Sequence, residues 1–96
     1  MNYYSEMLER AKRAQIDTLT LMVADETKAI FGKNHPNFET LCCVMEDLYL
    51  NTYHIALDTL GNALLYAIEK EHIELSKIHK HSEEFDLVVE LACSMD

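Results

Sequence analysis

The chain has 96 residues, 49% of them apolar and 26% charged, a balance typical of one globular domain rather than a disordered segment. The net charge of −9 argues against binding nucleic acid through phosphates and against an anionic membrane surface, because both require a basic face. Two glycines and one proline are too few for the many turns of a β-sandwich or barrel. We therefore expect a single acidic helical domain over residues 1–96.

The cysteines and the uncharged stretches indicate the compartment. No uncharged stretch is long enough to cross a bilayer, and residues 1–6 lack the basic start and apolar run of a signal peptide. Cys42 and Cys43 are adjacent, so their side chains diverge on a helix and do not bridge each other, and Cys93 makes the total odd. We expect reduced thiols and a cytoplasmic protein without membrane contact.

Residues 3–31 form the first predicted helix, which is long and amphipathic. Asn2 or Ser5 can cap its start, and apolar residues recur along it at helical spacing. Gly32 is expected to take the left-handed conformation that commonly ends a helix. The loop that continues to Pro36 separates this helix from the next.

The stretch 41–68 is apolar on most of its circumference when it is set on a helical wheel. One neighbouring helix cannot cover so much apolar surface, so the stretch needs either several helices of its own chain or a second chain around it. Its polar side chains form one narrow stripe, which consists of Asp47, Asn51, His54 and Asp58.

Gly61 decides whether this central helix is continuous. A Gly–Asn pair can end one helix and cap another, and the usual length of helices favours such a break. The apolar flanks of Gly61, and a polar stripe that stays in phase as far as His79, favour a helix that runs unbroken over residues 37–81. We predict a break or kink at Gly61, with the continuous helix as the alternative.

Ser82 is predicted to cap a short last helix that ends near Ser94, because Glu83 and Glu84 follow in its first turn. The predicted fold is therefore all-α: a small antiparallel bundle of three to four helices, with a long first helix, a central apolar helix and a short C-terminal helix. The apolar face of the last helix contains Phe85, Val88, Val89, Ala92 and Met95.

Glu69 and His72 have the Glu-x-x-His spacing of di-iron bundles, in which residues three apart share a helix face. Such a site needs a second Glu-x-x-His motif, and the sequence has none. We therefore expect no metal and no cofactor. Glu69 and His72 are kept as the candidate ligands of an alternative function, a metal-binding helical bundle.

Glu71-x-x-Glu74 and Glu83-x-x-Asp86 resemble the motifs with which the all-α nucleoside triphosphate pyrophosphohydrolases hold magnesium on adjacent helices. The resemblance covers four positions, and the two pairs lie closer together in sequence than is usual in that family. It implies, as a second form of the alternative, a metal-dependent all-α enzyme similar to those pyrophosphohydrolases.

The function that the sequence favours is non-enzymatic protein–protein interaction, because the chain has neither a glycine-rich phosphate loop nor a Gly-x-Ser-x-Gly motif. Small acidic helical chains are common among regulators, adaptors and inhibitors of phage or mobile-element type. We expect the protein to occupy a surface of a partner protein of unknown identity and to form a homodimer. The residues predicted for self-association are Leu50, Tyr53, Leu57 and Leu64.

Overall fold

The computed structural model describes residues 18–52 and 54–95. Helices make up 75% of these residues, and no strand occurs among them. The predicted small all-α helical bundle is thus confirmed. Four α-helices and one 3-10 helix lie in the described ranges: α1 (Thr18–Phe31), α2 (Phe38–Asn51), α3 (Leu57–Lys70), the 3-10 helix (Leu75–Lys77) and α4 (Glu83–Met95).

The buried face of α1 contains as many threonines as apolar residues. Thr20, Val23, Ala24 and Thr27 are buried. The Thr27 hydroxyl donates a hydrogen bond of 2.7 Å to the carbonyl oxygen of Val23, so its burial leaves no unpaired hydroxyl. Hydrophobic spacing alone does not reveal the two threonines as core residues.

The end of α1 is as predicted. Gly32 has a φ of 88°, and its N–H donates to the carbonyl oxygen of Lys28 at 2.9 Å. Glycine adopts this left-handed conformation without a steric penalty, which explains why α1 ends here. The start of the predicted first helix, with its candidate caps Asn2 and Ser5, lies outside the described residues.

The central apolar stretch is broken at residues 52–56, and Gly61 lies within α3. The predicted break at Gly61 is therefore wrong in position, and the continuous helix over residues 37–81 is wrong as well. The predicted polar stripe is divided by the break, because Asp47 lies on α2 and Asp58 on α3.

Polar side chains next to the break explain where α2 ends. The Thr52 hydroxyl donates to the carbonyl oxygen of Leu48, and the Thr52 N–H donates to Tyr49 at 3.2 Å. The Asn51 side-chain amide donates to the carbonyl oxygen of Asp47 at 2.7 Å. Side chains that bond to nearby backbone groups compete with the continued helix, and the Asn–Thr pair coincides with the end of α2, where the Thr52 N–H bonds to Tyr49 instead of Leu48.

Gly61 serves close packing instead of a turn. It is buried in α3, and a Cβ atom at this position would overlap the Cδ1 atom of Ile30 on α1 and lie 3.2 Å from the Cε atom of Met45 on α2. The absence of a side chain thus allows α3 to approach both earlier helices.

The end of α3 comes earlier than predicted. His72 takes a left-handed φ of 55°, and the carbonyl oxygen of Ala67 accepts the N–H groups of both Glu71 and Ile73, at 3.2 and 3.1 Å. These bonds satisfy groups that a helix end leaves open, so the chain leaves the helical path after Lys70.

Ser82 caps α4 as predicted. Its hydroxyl oxygen accepts the N–H of Phe85 at 3.0 Å, and acidic residues occupy the first turn of α4, where the helix dipole favours negative charge. Phe85, Val88 and Ala92 are buried. Met95, which was predicted on the same face, is instead 46% exposed.

The core forms around α3, which packs against each of the other three helices. Because the chain turns at residues 52–56, the apolar stretch covers much of its own surface. None of the described helices combines the length and the apolar character needed to cross a membrane. The largest fully buried apolar side chains among the described residues are Val23, Leu41, Cys42, Met45, Leu48, Ile55, Leu60, Leu64 and Val88.

A double-mutant cycle tests the packing at Gly61. We expect Gly61→Ala to lower the free energy of unfolding by about 1 kcal/mol, because overpacking costs roughly 1–3 kcal/mol and the better helix propensity of alanine returns at most about 1 kcal/mol. In the Ile30→Val background, which lacks the overlapping Cδ1 atom, the same substitution should be neutral or stabilising. Urea unfolding of the four proteins measures this, and equal effects in the two backgrounds would contradict the close approach.

Candidate functional site

The residues predicted for self-association do not share one surface. Leu50 on α2 is 48% exposed, whereas Leu57 is 8% exposed and Leu64 is fully buried. The turn before α3 directs these last two side chains into the core of the chain itself. Tyr53 lies outside the described residues. Of the three that are described, Leu50 is the one that offers a partner substantial apolar surface.

An open depression of about 430 Å³ lies where α1, the end of α2 and the start of α3 meet. Met22 is 50% exposed, and Ala56 is exposed as well, so apolar surface faces solvent here. Leu50 directly follows one of its lining residues on α2. The lining residues, termed the apolar depression below, are Met22, Tyr49, His54, Ile55, Ala56 and Leu57.

The turn between α2 and α3 builds this depression. The N–H of Ile55 donates to the carbonyl oxygen of Thr52 at 2.8 Å. Ala56 is extended, with φ −66° and ψ 149°, and its carbonyl oxygen accepts the first helical bond of α3 from Leu60 at 3.0 Å. Local hydrogen bonds thus hold the backbone at Ile55 and Ala56, while the side chains of His54 and Ala56 stay exposed.

Acidic side chains flank the apolar depression. Asp25 and Glu26 lie three and four residues after Met22 on α1, which places them one turn along the same face. Asp58 follows Leu57 and is exposed. No lysine or arginine lies within four residues of any lining residue along the chain. Asp25, Glu26 and Asp58 are termed the acidic rim, and Lys28, three residues after Asp25, is the nearest basic residue to them along α1.

A second hollow, of about 320 Å³, lies over residues 33–40 between α1 and α2. The N–H of Asn37 donates to Nδ1 of His35 at 3.0 Å. The N–H of Phe38 donates to the carbonyl oxygen of His35 at 3.0 Å, and that of Leu41 to Asn37 at 2.9 Å. These amides at the start of α2 are therefore already used and are not available to an anion.

The metal candidates Glu69 and His72 do not share a helix face. Glu69 lies in the last turn of α3, and His72 lies beyond the end of that helix at a φ of 55°. Both side chains are exposed. Within the described ranges, no group of three or more His, Cys, Asp or Glu side chains is arranged to hold a metal ion.

The first of the two acidic pairs that resemble pyrophosphohydrolase motifs is not on a helix face either. Glu71 follows the last residue of α3, and Glu74 precedes the 3-10 helix. The Glu74 carboxylate lies 3.8 Å from Nζ of Lys77, with both side chains largely exposed. The arrangement implied by the resemblance, two acidic pairs on adjacent helices, is therefore wrong for Glu71 and Glu74.

The cysteines are free thiols without signs of activation. Burial raises the pKa of Cys42 from 9.0 to about 11, against the opposing effect of its hydrogen bond with Thr27. Partial burial raises the pKa of Cys43, and the nearby Glu46 carboxylate raises it further. Because the thiolate is the reactive form, a raised pKa makes both thiols poorer nucleophiles at neutral pH.

Comparison of the chain with protein-family models, with curated proteins and with solved structures finds no significant match. The function proposed below therefore rests on the geometry of the described residues.

Sequence reasoning missed Met22 as a surface residue. The sequence nonetheless indicated that Met22 is exposed. Met22 lies off the apolar stripe that contains Val23, and Asp25 and Glu26 follow it at helical spacing. The exposure of Ala56 was not predicted, because the central helix was expected to continue through this position. The pair Asn51–Thr52 is the feature that indicates the turn.

The raised pKa of Cys42 predicts a pH-dependent stability. The folded state favours the neutral thiol, so this contribution is fully present below pH 9 and is lost as the pH rises towards the folded pKa of about 11. Relative to Cys42→Val, the wild type should lose roughly 2 kcal/mol of unfolding free energy between pH 8 and pH 11. Urea unfolding of both proteins at the two pH values measures this, and parallel pH dependences would show that Cys42 does not titrate as described.

The exposed positions of Glu69 and His72 predict that neither holds a metal. We expect Glu69→Gln with His72→Asn to leave metal content unchanged and stability within about 0.5 kcal/mol. Asparagine is chosen at position 72 because it tolerates a positive φ better than alanine does. Elemental analysis of protein purified without a histidine tag provides the measurement. Stoichiometric metal that the double mutant loses would favour the metal-binding alternative.

Proposed function

We propose that the protein is a small, acidic, non-enzymatic interaction protein that acts as a regulator, adaptor or inhibitor by occupying a surface of another protein. The apolar depression, together with Leu50, is the contact surface. The observation that carries the proposal is the exposure of Met22 and Leu50, at 50% and 48%, on a protein whose other described leucines are at least partly buried. Exposed apolar surface bordered by charge is typical of protein interaction sites.

The shape of the depression supports a protein partner over a small molecule. Small-molecule sites bury most of the ligand and aim a few polar groups at it. This depression is open, and among its described lining residues His54 is the one with a polar side chain besides the partly exposed Tyr49. Cys42 and Cys43, which are adjacent in sequence on α2, are weak nucleophiles, so they likewise give no support to a catalytic role.

The homodimer stays a prediction. It was motivated by an apolar stretch that one chain was not expected to cover, and much of that stretch is buried within the protomer. Leu50 and the apolar depression, with the separate exposed side chains Tyr66 and Met95, are the apolar surface that the described residues offer a second copy. We therefore propose a different protein as the main partner, in a cytoplasmic setting that the free thiols favour.

Charge introduced at the contact surface should abolish partner binding. We expect Met22→Asp and Leu50→Asp each to remove a specific protein from affinity capture with the full chain, because a carboxylate buried against an apolar partner costs several kcal/mol. Met95→Asp is the matched control, since Met95 is similarly exposed but lies at the end of α4. Quantitative mass spectrometry of captures from the native host measures this, with circular dichroism to show that each variant is folded.

Two outcomes of that experiment would overturn the proposal. One is a captured protein that both surface variants retain. The other is equal loss with Met95→Asp, which would indicate non-specific adhesion instead of a defined surface.

A further inference from the structure

We propose that the occupant of the apolar depression is a basic amphipathic helix of the partner protein. Its apolar side chains would contact Met22, Leu50 and the lining residues, and its lysines or arginines would lie against the acidic rim. This inference rests on the proposed function and specifies the chemistry of the partner.

Charge complementarity is the first argument. The acidic rim places three carboxylates near an apolar surface, and Lys28, three residues after Asp25 on α1, offsets only part of their charge. The net charge of −9 adds a long-range field of the same sign, which speeds the approach of a cationic segment. An anionic lipid surface or a nucleic acid would be repelled by the same charges.

The same charges disfavour a second copy of this chain as the occupant. A two-fold dimer through the apolar depression would bring the rims of both copies together, because a two-fold interface pairs the same patch with itself. Asp25, Glu26 and Asp58 would then face their own counterparts or one another. Like charges across an interface cost several kcal/mol unless cations intervene.

The surroundings of the depression favour a helix over other peptide conformations. An extended peptide adds to the edge of a sheet, and the described residues contain no strand. A polyproline segment docks into a groove lined with aromatic rings, whereas Tyr49 is the one aromatic ring besides the His54 imidazole among the described residues that line the depression. An amphipathic helix needs an apolar groove between helices, and the flexible Met22 side chain suits such contacts.

A designed peptide tests this chemistry directly. The probe is a fluorescent helix of about four turns, made of leucine and lysine with the leucines at i, i+3, i+4 and i+7. A second probe replaces every lysine by glutamate and keeps the leucines. We expect saturable binding of the lysine peptide to the full chain by fluorescence anisotropy, weakening with added salt, and no binding of the glutamate peptide.

Charge-matched variants separate the acidic rim from net charge. Asp25→Lys with Glu26→Lys should weaken binding of the lysine peptide at least tenfold. Glu69→Lys with Glu90→Lys changes the net charge equally on exposed positions, and Glu69 lies about 18 Å along α3 from Leu57. This control should retain affinity within about threefold. Equal weakening by both pairs, or no saturable binding of the lysine peptide, would overturn the proposal.

Photo-crosslinking identifies the occupant. A benzophenone amino acid in place of Leu50 in the full chain should crosslink to the lysine peptide in proportion to its binding. Crosslinks that form instead to a second copy, or to residues 1–17 of the same chain, and that exclude the peptide would overturn the proposal. If Met22→Asp abolishes capture of a host protein while the lysine peptide fails to bind, the proposed function stands and the basic-helix inference falls.

Discussion

The turn that begins at Thr52 is the constraint on which the rest of this structure depends. The Thr52 hydroxyl and N–H both bond to the last turn of α2, and Thr52 is 6% exposed. A buried hydroxyl without such a partner would cost about 1–3 kcal/mol, so these bonds hold the chain at one place of reversal. The turn lets α3 pack against α1, α2 and α4, and it leaves the apolar depression at the point where α2 and α3 meet.

The turn at Thr52 also requires a small residue at position 61, which is Gly61. Once the chain has reversed, α3 must pass close to both α1 and α2, and a side chain at position 61 would collide with Ile30 and crowd Met45. A glycine in a helix interior costs about 0.5–1 kcal/mol relative to alanine. The helix tolerates this cost because the close approach brings α3 into contact with every other described helix.

The sequence predicted those features that depend on local chemistry. Gly32 and Ser82 were identified from the residue types that favour their conformations, and the apolar stretch 41–68 from helical spacing. The break was misplaced because glycine can serve a turn or a close contact, and the distinction depends on Ile30, far away in sequence. Leu64 was assigned to a partner surface for a related reason, since the direction that its side chain faces changes once the helix is broken at residues 52–56.

The acidic rim and the buried apolar core consist of different residues, and this bears on function. The acidic rim residues make no contribution to the core, because Asp25 and Asp58 are exposed and Glu26 is partly exposed. Asp58 stabilises the start of α3, because it lies in the first turn and its carboxylate accepts the N–H of Thr59 at 2.8 Å. Asp25 and Glu26 lie in the interior of α1, where adjacent carboxylates repel each other slightly. Solubility accounts for acidic residues anywhere on the surface, but not for the lack of lysine and arginine within four positions along the chain of the residues that line the apolar depression. A cationic apolar segment bound there would relieve the repulsion and cover Met22 and Leu50 at the same time.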